Sequence, residues 1–191
     1  MAASKINLLD YKFIKILGIG SSGFVGLYSG QDSVYAIKFI VAPILSPDIQ
    51  REIKILTILN NEGFPVPRIY NHDFILSTSD LIESLGSYSN LVRPDFKYFA
   101  IIMEYIDGIN LEDLLNLDDP SILNIAIWLF DILGELHKIN IVHRDIKPSN
   151  IILTSNKTLY LVDFGLACST RDPSILCPHL ISLLEQQAVD G

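Results

Sequence analysis

The sequence predicts an α+β protein in two parts: a small lobe of antiparallel strands with one helix, then a helical lobe. Three observations predict it. β-Forming runs at Tyr11 to Leu17 and Val34 to Val41 flank a segment rich in glycine. A helix signal follows at Ser46. A long apolar helix pattern from Ser121 to Lys138 then precedes a short hairpin near residue 155.

Each element has a local cause. Gly18, Gly20, Gly23 and Gly26 punctuate the turn between the first strands. Ser46-Pro47-Asp48 supplies a capping hydroxyl, a proline for the first helical position and an acid for the first turn. Ile49, Ile53, Leu56 and Leu59 recur at helical spacing, and Asn60, Asn61 and Gly63 end the helix. Residues 71–97 read as a polar insertion with a short helix near Asp80 to Leu85, and Tyr98 to Tyr105 reads as a strand. The Ser121 to Lys138 pattern is apolar nearly all round, which predicts burial on most sides. Ile151 to Leu153 and Leu159 to Val162 predict a hairpin across the polar stretch between them. The domain division expected is 1–105 and 106–191. A short amphipathic helix is expected over Pro178 to Glu185.

Composition excludes several classes. The 191 residues hold 22 acids against 14 Lys and Arg, a net charge of −8, with no basic cluster. That argues against a nucleic-acid or anionic-membrane partner. The most apolar stretch, Ile122 to Leu136, is broken by Asn124, Asp131 and Glu135 and is too polar to span a bilayer. No secretory pattern follows Met1. Cys168 and Cys177 lack zinc-site spacing and are too few for a disulfide framework, so reduced thiols and a cytoplasmic protein are expected.

The chemistry-bearing residues fall in three places. Leu17-Gly18-Ile19-Gly20-Ser21-Ser22-Gly23-Phe24-Val25 contains G-x-G-x-x-G-x-V, whose backbone amides can approach phosphate oxygens; a glycine turn without ligand is the alternative. Ala36 and Lys38 share one face of a strand. Glu52 lies on the apolar stripe of the next helix, where a carboxylate needs a partner, and Lys38 is the candidate; a lysine snorkelling to water and a rim glutamate are the alternatives. The densest signal is Val142-His143-Arg144-Asp145-Ile146-Lys147-Pro148-Ser149-Asn150, with Asp163-Phe164-Gly165 beginning thirteen residues after Asn150.

Taken in chain order, these motifs resemble a eukaryotic-type serine/threonine protein kinase over Tyr11 to about Ala167, outside the insertion. The resemblance implies a protein-kinase-like bilobal fold and transfer of the ATP γ-phosphate to a protein Ser or Thr hydroxyl, with ATP and Mg²⁺ as cofactors. It implies that residues Leu17 to Val25 cover the nucleotide, with Val25, Ala36 and Ile152 packing on adenine. Lys38 holds phosphates and pairs with Glu52. Met103 resembles the gatekeeper, and the backbones of Glu104 and Ile106 meet the base. Asp145 and Lys147 are the catalytic pair, Asn150 and Asp163 the metal ligands. Arg144 beside Asp145 implies control by a phosphorylated segment, with Ser169, Thr170 and Ser174 as candidates.

No Ala-Pro-Glu occurs among the 26 residues after Gly165. The expectation is therefore a kinase truncated in the large lobe, with His143, Phe164 and the helix near Trp128 exposed unless a partner covers them. A weak or inactive truncated kinase, acting as an ATP-binding regulator or scaffold, is the alternative function. Short atypical kinases that modify transfer-RNA factors rank second as a family.

Overall fold

The computed structural model describes residues 6–42, 45–75, 77–114 and 119–180. In chain order the elements are strands β1 (Lys12–Ile19), β2 (Gly23–Ser29) and β3 (Val34–Val41), helix α1 (Pro47–Asn61), strand β4 (Ile69–Phe74), helix α2 (Thr78–Leu85), strands β5 (Tyr98–Glu104) and β6 (Gly108–Asn110), helix α3 (Asp119–Lys138), and strands β7 (Ile141–Val142), β8 (Ile151–Thr154), β9 (Leu159–Leu161) and β10 (Cys168–Ser169). They form two compact units, Met1–Ser46 with Pro67–Ile106, and Pro47–Val66 with Asp107–Gly191.

A single division near residue 105 would place Pro47–Val66 in the first unit; the segment goes instead with the second. Long-range bonds account for this. Arg51 Nε donates to the Ala167 carbonyl at 2.9 Å. The Leu161 amide donates to the Pro65 carbonyl at 3.0 Å.

The first unit is built on a five-stranded antiparallel sheet in the order β1-β2-β3-β5-β4. Alternation gives its two faces different jobs. One face carries Phe24, Tyr28, Ile37, Phe39, Ala100 and Ile102, all buried in one core with Ile6, Leu8, Leu81, Leu85 and Val92. The Phe24 and Phe39 rings stack at 5.0 Å. The other face carries Val25, Leu27, Ala36, Lys38, Ile101 and Met103, brought into rows by the pairs Val25↔Lys38, Lys38↔Ile101, Leu27↔Ala36 and Ala36↔Met103. Gly23 opens β2 where no other residue fits: a Cβ there would lie 1.8 Å from the Phe39 carbonyl oxygen.

The region 71–97 is less of an excursion than its polarity suggests. Asn71, His72 and Asp73 belong to β4, which lies at the sheet edge, where polar side chains reach water. Helix α2 is capped by Ser77, which accepts from the Asp80 amide at 3.1 Å. It sends Leu81 and Leu85 into the core, both essentially inaccessible. Full burial of a leucine contributes about 1.5–3 kcal/mol, so the helix is a structural member of this unit.

In the second unit α1 buries Ile49, Ile55, Leu56 and Leu59 and, less expectedly, Arg51 and Glu52. Gly63 turns the chain at φ +77° two residues after the helix ends. Strands β6, β8 and β9 make a three-stranded sheet, and β7 pairs with β10. Helix α3 departs from expectation. Ile132 and Leu136 are buried, but Ile122, Leu123 and Ile127 are exposed and Phe130 is 79% exposed. Its all-round apolar pattern is therefore only partly covered by the described residues. His143 and Phe164, expected to be exposed without further helices, are buried, at 1% and 0%.

The expectation of reduced thiols is overturned. Cys168 and Cys177 form a disulfide, their Cα atoms 4.9 Å apart. A bend over the intervening residues, closed by the Cys177 amide donating to the Ser169 carbonyl at 2.9 Å, brings them together. Of the helix expected over Pro178 to Glu185, Pro178, His179 and Leu180 are helical and 181–185 lie outside the described residues. No described helix is long and apolar enough to cross a membrane.

Candidate active site

The segment from Ile141 to Asn150 leaves β7, turns at Arg144 and enters β8 through a short 3-10 turn at Pro148–Asn150. Arg144 adopts φ +70° and Asp163 φ +60°, a region that L residues with a Cβ occupy at a cost of about 1–2 kcal/mol. Strain of that size persists only where neighbours over-determine the backbone, and here they do.

His143 is the wedge. Its Nδ1 accepts from the Asp145 amide at 3.2 Å, and its Nε2 lies 3.1 Å from the Val162 carbonyl. Those two bonds specify a neutral imidazole with the proton on Nε2. The ring meets Phe164 edge-on, centroids 4.6 Å apart. Burial pushes the His143 pKa below its ordinary value, against the opposing pull of the Val162 carbonyl and of Asp163 and Asp145. One buried ring thus ties the loop before Asp145 to the backbone before Asp163.

Asn150, 5% exposed, closes the loop from the other end. Its Nδ2 donates to both the backbone carbonyl and the Oδ2 of Asp145, each at 2.9 Å. With both donors turned to Asp145, the planar amide presents its oxygen on the opposite side. Lys147 Nζ lies 2.8 Å from the same Asp145 Oδ2. That hydrogen bond raises the Lys147 pKa, so the ammonium stays charged. The Val162 amide donates to the Asn150 carbonyl at 2.9 Å, which sets β9 beside the loop. A carboxylate, an ammonium and a side-chain amide therefore converge within hydrogen-bond distance.

Of the sequence-predicted residues, the second unit brings together Asp145, Lys147 and Asn150. It also holds Asp163 just past β9, half-buried Ile152 on β8 opposite Tyr160, and Glu52, 3% exposed, on α1. The first unit brings Val25, Ala36, Lys38 and Met103 onto one sheet face. Leu17 is half-buried before the turn, and Gly18, Ile19, Gly20, Ser21 and Ser22 are exposed along it, closed by the Gly20 amide donating to the Gly23 carbonyl at 2.8 Å. No heavy atom lies within 4 Å of a Cβ built at Gly18. Phe24 is not on that face: it is buried in the core against Phe39, which leaves only its backbone to the turn. Glu104 accepts from the Arg68 amide through Oε2 at 3.3 Å, and Ile106 is buried. Among the candidate phosphorylation sites, Ser169 is buried and accepts from the Arg171 and Asp172 amides at 3.1 and 2.9 Å, whereas Thr170 and Ser174 are exposed.

Two residues escaped the sequence reading. Arg51, beside Glu52, holds the Ala167 carbonyl; Lys54, three residues on, pairs with Asp172 at 2.8 Å and with the Ser174 hydroxyl. An arginine on an otherwise apolar helix face was the available signal for the first. Nothing local marked the second.

Hard oxygen donors are what Mg²⁺ takes, and the amide oxygen of Asn150 and the carboxylate of Asp163 are of that kind. Among the described residues no larger cluster of His, Cys, Asp or Glu offers a metal site of protein ligands alone.

The chain is 27% identical over 175 residues to the probable serine/threonine-protein kinase PknB of Lactococcus lactis, covering 90% of this chain and 26% of that protein. It is 28% identical over 168 residues to mitogen-activated protein kinase kinase 7 of Arabidopsis thaliana, covering 85% and 48%. It is 27% identical over 191 residues to stress-activated protein kinase jnk-1 of Caenorhabditis elegans, covering 94% and 37%. The chain thus spans about a quarter to a half of the length of these relatives. Residues 11–178 match the protein kinase domain. With that match, an antiparallel sheet unit, and a loop holding Asp145, Lys147 and Asn150 together, the chain belongs to the protein kinase family.

Proposed function

We propose that this chain carries serine/threonine protein kinase activity, transferring the γ-phosphate of ATP to a Ser or Thr hydroxyl of a protein. The observation that carries the proposal is the convergence of Lys147 and Asn150 on one oxygen of Asp145. Asp145 orients the substrate hydroxyl and accepts its proton. Lys147 neutralises charge on the transferring group. Asn150 and Asp163 hold Mg²⁺, which when bound screens the phosphate oxygens. Phosphoryl transfer needs little covalent help from the protein, so fixed charges and fixed positions supply most of the rate.

For ATP itself we assign the turn from Leu17 to Val25 to the phosphates. Val25, Ala36, Met103 and Ile152, with the Glu104 and Ile106 backbones, are assigned to the base, and Lys38, supported by Glu52, to the α- and β-phosphates. By motif order we assign residues 1–105 to the small lobe and 106–191 to the large lobe, a division that differs from the compact units in the placement of Pro47–Val66. The cytoplasmic location expected from reduced thiols loses that support, because the two cysteines are joined.

A second reading, an ATP-binding regulator or scaffold, is favoured by one observation: the exposed apolar residues Leu123, Ile127 and Phe130 on α3. Such a stripe suits a polypeptide that completes the helical part. Radiolabelled transfer to a generic protein substrate, run beside a thermal shift with Mg·ATP, separates the readings. Wild type that transfers phosphate while Asp145→Asn and Lys38→Met do not supports the kinase. A thermal shift without transfer, unchanged by Asp145→Asn, supports the regulator.

A further inference from the structure

We propose that the Cys168–Cys177 disulfide is a redox-controlled clasp: oxidised, it holds the segment Ala167 to Leu176 on helix α1, and reduced, it lets that segment lift, slowing phosphoryl transfer. The coupling to transfer rests on the kinase reading above; the clasp itself does not.

The two cysteines sit where three parts of the second unit meet. Cys168 pairs with Val142 in the β7–β10 ladder, one residue before His143. Arg144 Nη1 lies 3.6 Å from Cys168 Sγ. Ala167, the residue before Cys168, is the acceptor of the buried Arg51 bond. At the far side of the loop Lys54 binds Asp172 and Ser174. Helix α1 is therefore gripped at Ala167, immediately before the loop closed by the two sulfurs, and at Asp172 and Ser174 within it, and Glu52 lies between the gripping residues.

What else closes the loop is modest. The Cys177 amide donates to the Ser169 carbonyl, and Ser169 bridges to Leu176. The Lys54–Asp172 pair is nearly half exposed on the lysine side, a setting in which ion pairs contribute little. A crosslink between residues nine apart adds closure that these contacts do not supply. The sulfurs themselves are buried, while Arg171, Pro173 and Ser174 are exposed. A reductant reaches the bond only as the outer part of the loop lifts, so the latch and the redox step are coupled.

The chemistry balances with a dithiol as reductant. Its thiolate attacks one sulfur to give a mixed disulfide and releases one cysteine; its second thiol then attacks the mixed disulfide, releasing the other. Two electrons and two protons pass to the cysteines, and the dithiol leaves as a cyclic disulfide.

The test uses the full chain, mildly oxidised or treated with dithiothreitol. Thiols are counted by maleimide mass labelling, cleavage after Arg171 by an arginine-specific protease, and transfer by radiolabel. Oxidised protein is expected to label at no cysteine and to resist cleavage. Reduced protein is expected to label at two, to be cleaved about fivefold faster or more, and to transfer phosphate about fivefold more slowly or worse. Cys168→Ser with Cys177→Ser should behave as reduced under both conditions. Should that variant fail to fold, Lys54→Met, with both cysteines kept, should speed reduction of the bond. Two labelled thiols after oxidation, or equal cleavage and equal transfer in both states, would overturn the clasp. Transfer absent in both states with the cleavage difference intact would overturn the kinase reading and support the clasp.

Discussion

Arg51 and Ala167, 116 residues apart in the chain, are joined by a buried hydrogen bond of 2.9 Å from the guanidinium Nε to the backbone carbonyl. The same guanidinium reaches Asp48 through Nη2 at 2.7 Å. Arg51→Ala removes a charged donor and strands a buried acceptor, which costs about 2–3 kcal/mol. Urea unfolding should show the midpoint falling with the slope unchanged. A variant within about 0.5 kcal/mol of the parent would mean that the bond does not hold α1 in place.

Asn150→Ala breaks both bonds to Asp145 while leaving the carboxylate and Lys147 in place. Stability should fall by about 1–2 kcal/mol, since two hydrogen bonds of ordinary net strength are lost. Transfer should fall much further, by about a hundredfold or more, because both an oxygen donor and the fixed position of Asp145 go together. Measuring both on one preparation checks the split. Comparable small losses in the two would assign Asn150 to packing alone.

His143 sets an acid limit on stability. Its folded pKa lies below the ordinary value of about 6.5 because the ring is buried. Above that value both folded and unfolded forms hold a neutral ring, and pH has no effect through this group. As pH falls below about 6.5 the unfolded chain takes up a proton that the folded chain refuses, so stability declines until the folded pKa is reached. Thermal melts from pH 8 to 5 should show this decline, and His143→Gln should flatten it. Asp172 acts lower: hydrogen bonds from Lys54 and Ser174 hold its pKa at about 2, so its contribution is present above about 3.8 and fades as pH drops toward 2.

Phe130 and Gly23 make a contrasting pair. Phe130 is 79% exposed on α3, so Phe130→Ser should change stability by no more than about 0.5 kcal/mol. Gly23→Ala puts a methyl against the Phe39 carbonyl and should cost about 2 kcal/mol or more, as forced overpacking does. Chemical denaturation of the two variants decides it; a large loss at Phe130 would show that the α3 stripe is covered.

The parts of the fold legible in the sequence were those whose chemistry is local. The run from His143 to Asn150 needs given residue types at given spacings, and its bonds form within that run. Glu52 on an apolar stripe signalled burial, and it is buried. Illegible parts depended on distant chain. Asn71-His72-Asp73 reads as loop because an edge strand tolerates polar side chains, and its pairing partner lies about 30 residues away. The Cys168–Cys177 bond follows from a bend set by the Ser169 backbone and side chain, for which a nine-residue spacing carries no signature. The exposed face of α3 was hidden for a different reason. Periodicity records how apolar a helix is, not whether anything covers it.

Helix α2 and the strand face beneath it share one core, Leu81 and Leu85 lying among Tyr28, Phe39 and Ile102. Across generations the two are bound to change in step. A descendant that deleted residues 77–92 would bare two large aromatic rings at once, and it would persist only if smaller or polar side chains replaced them. Residues 77–92 and the large side chains they cover on that sheet face should therefore change together.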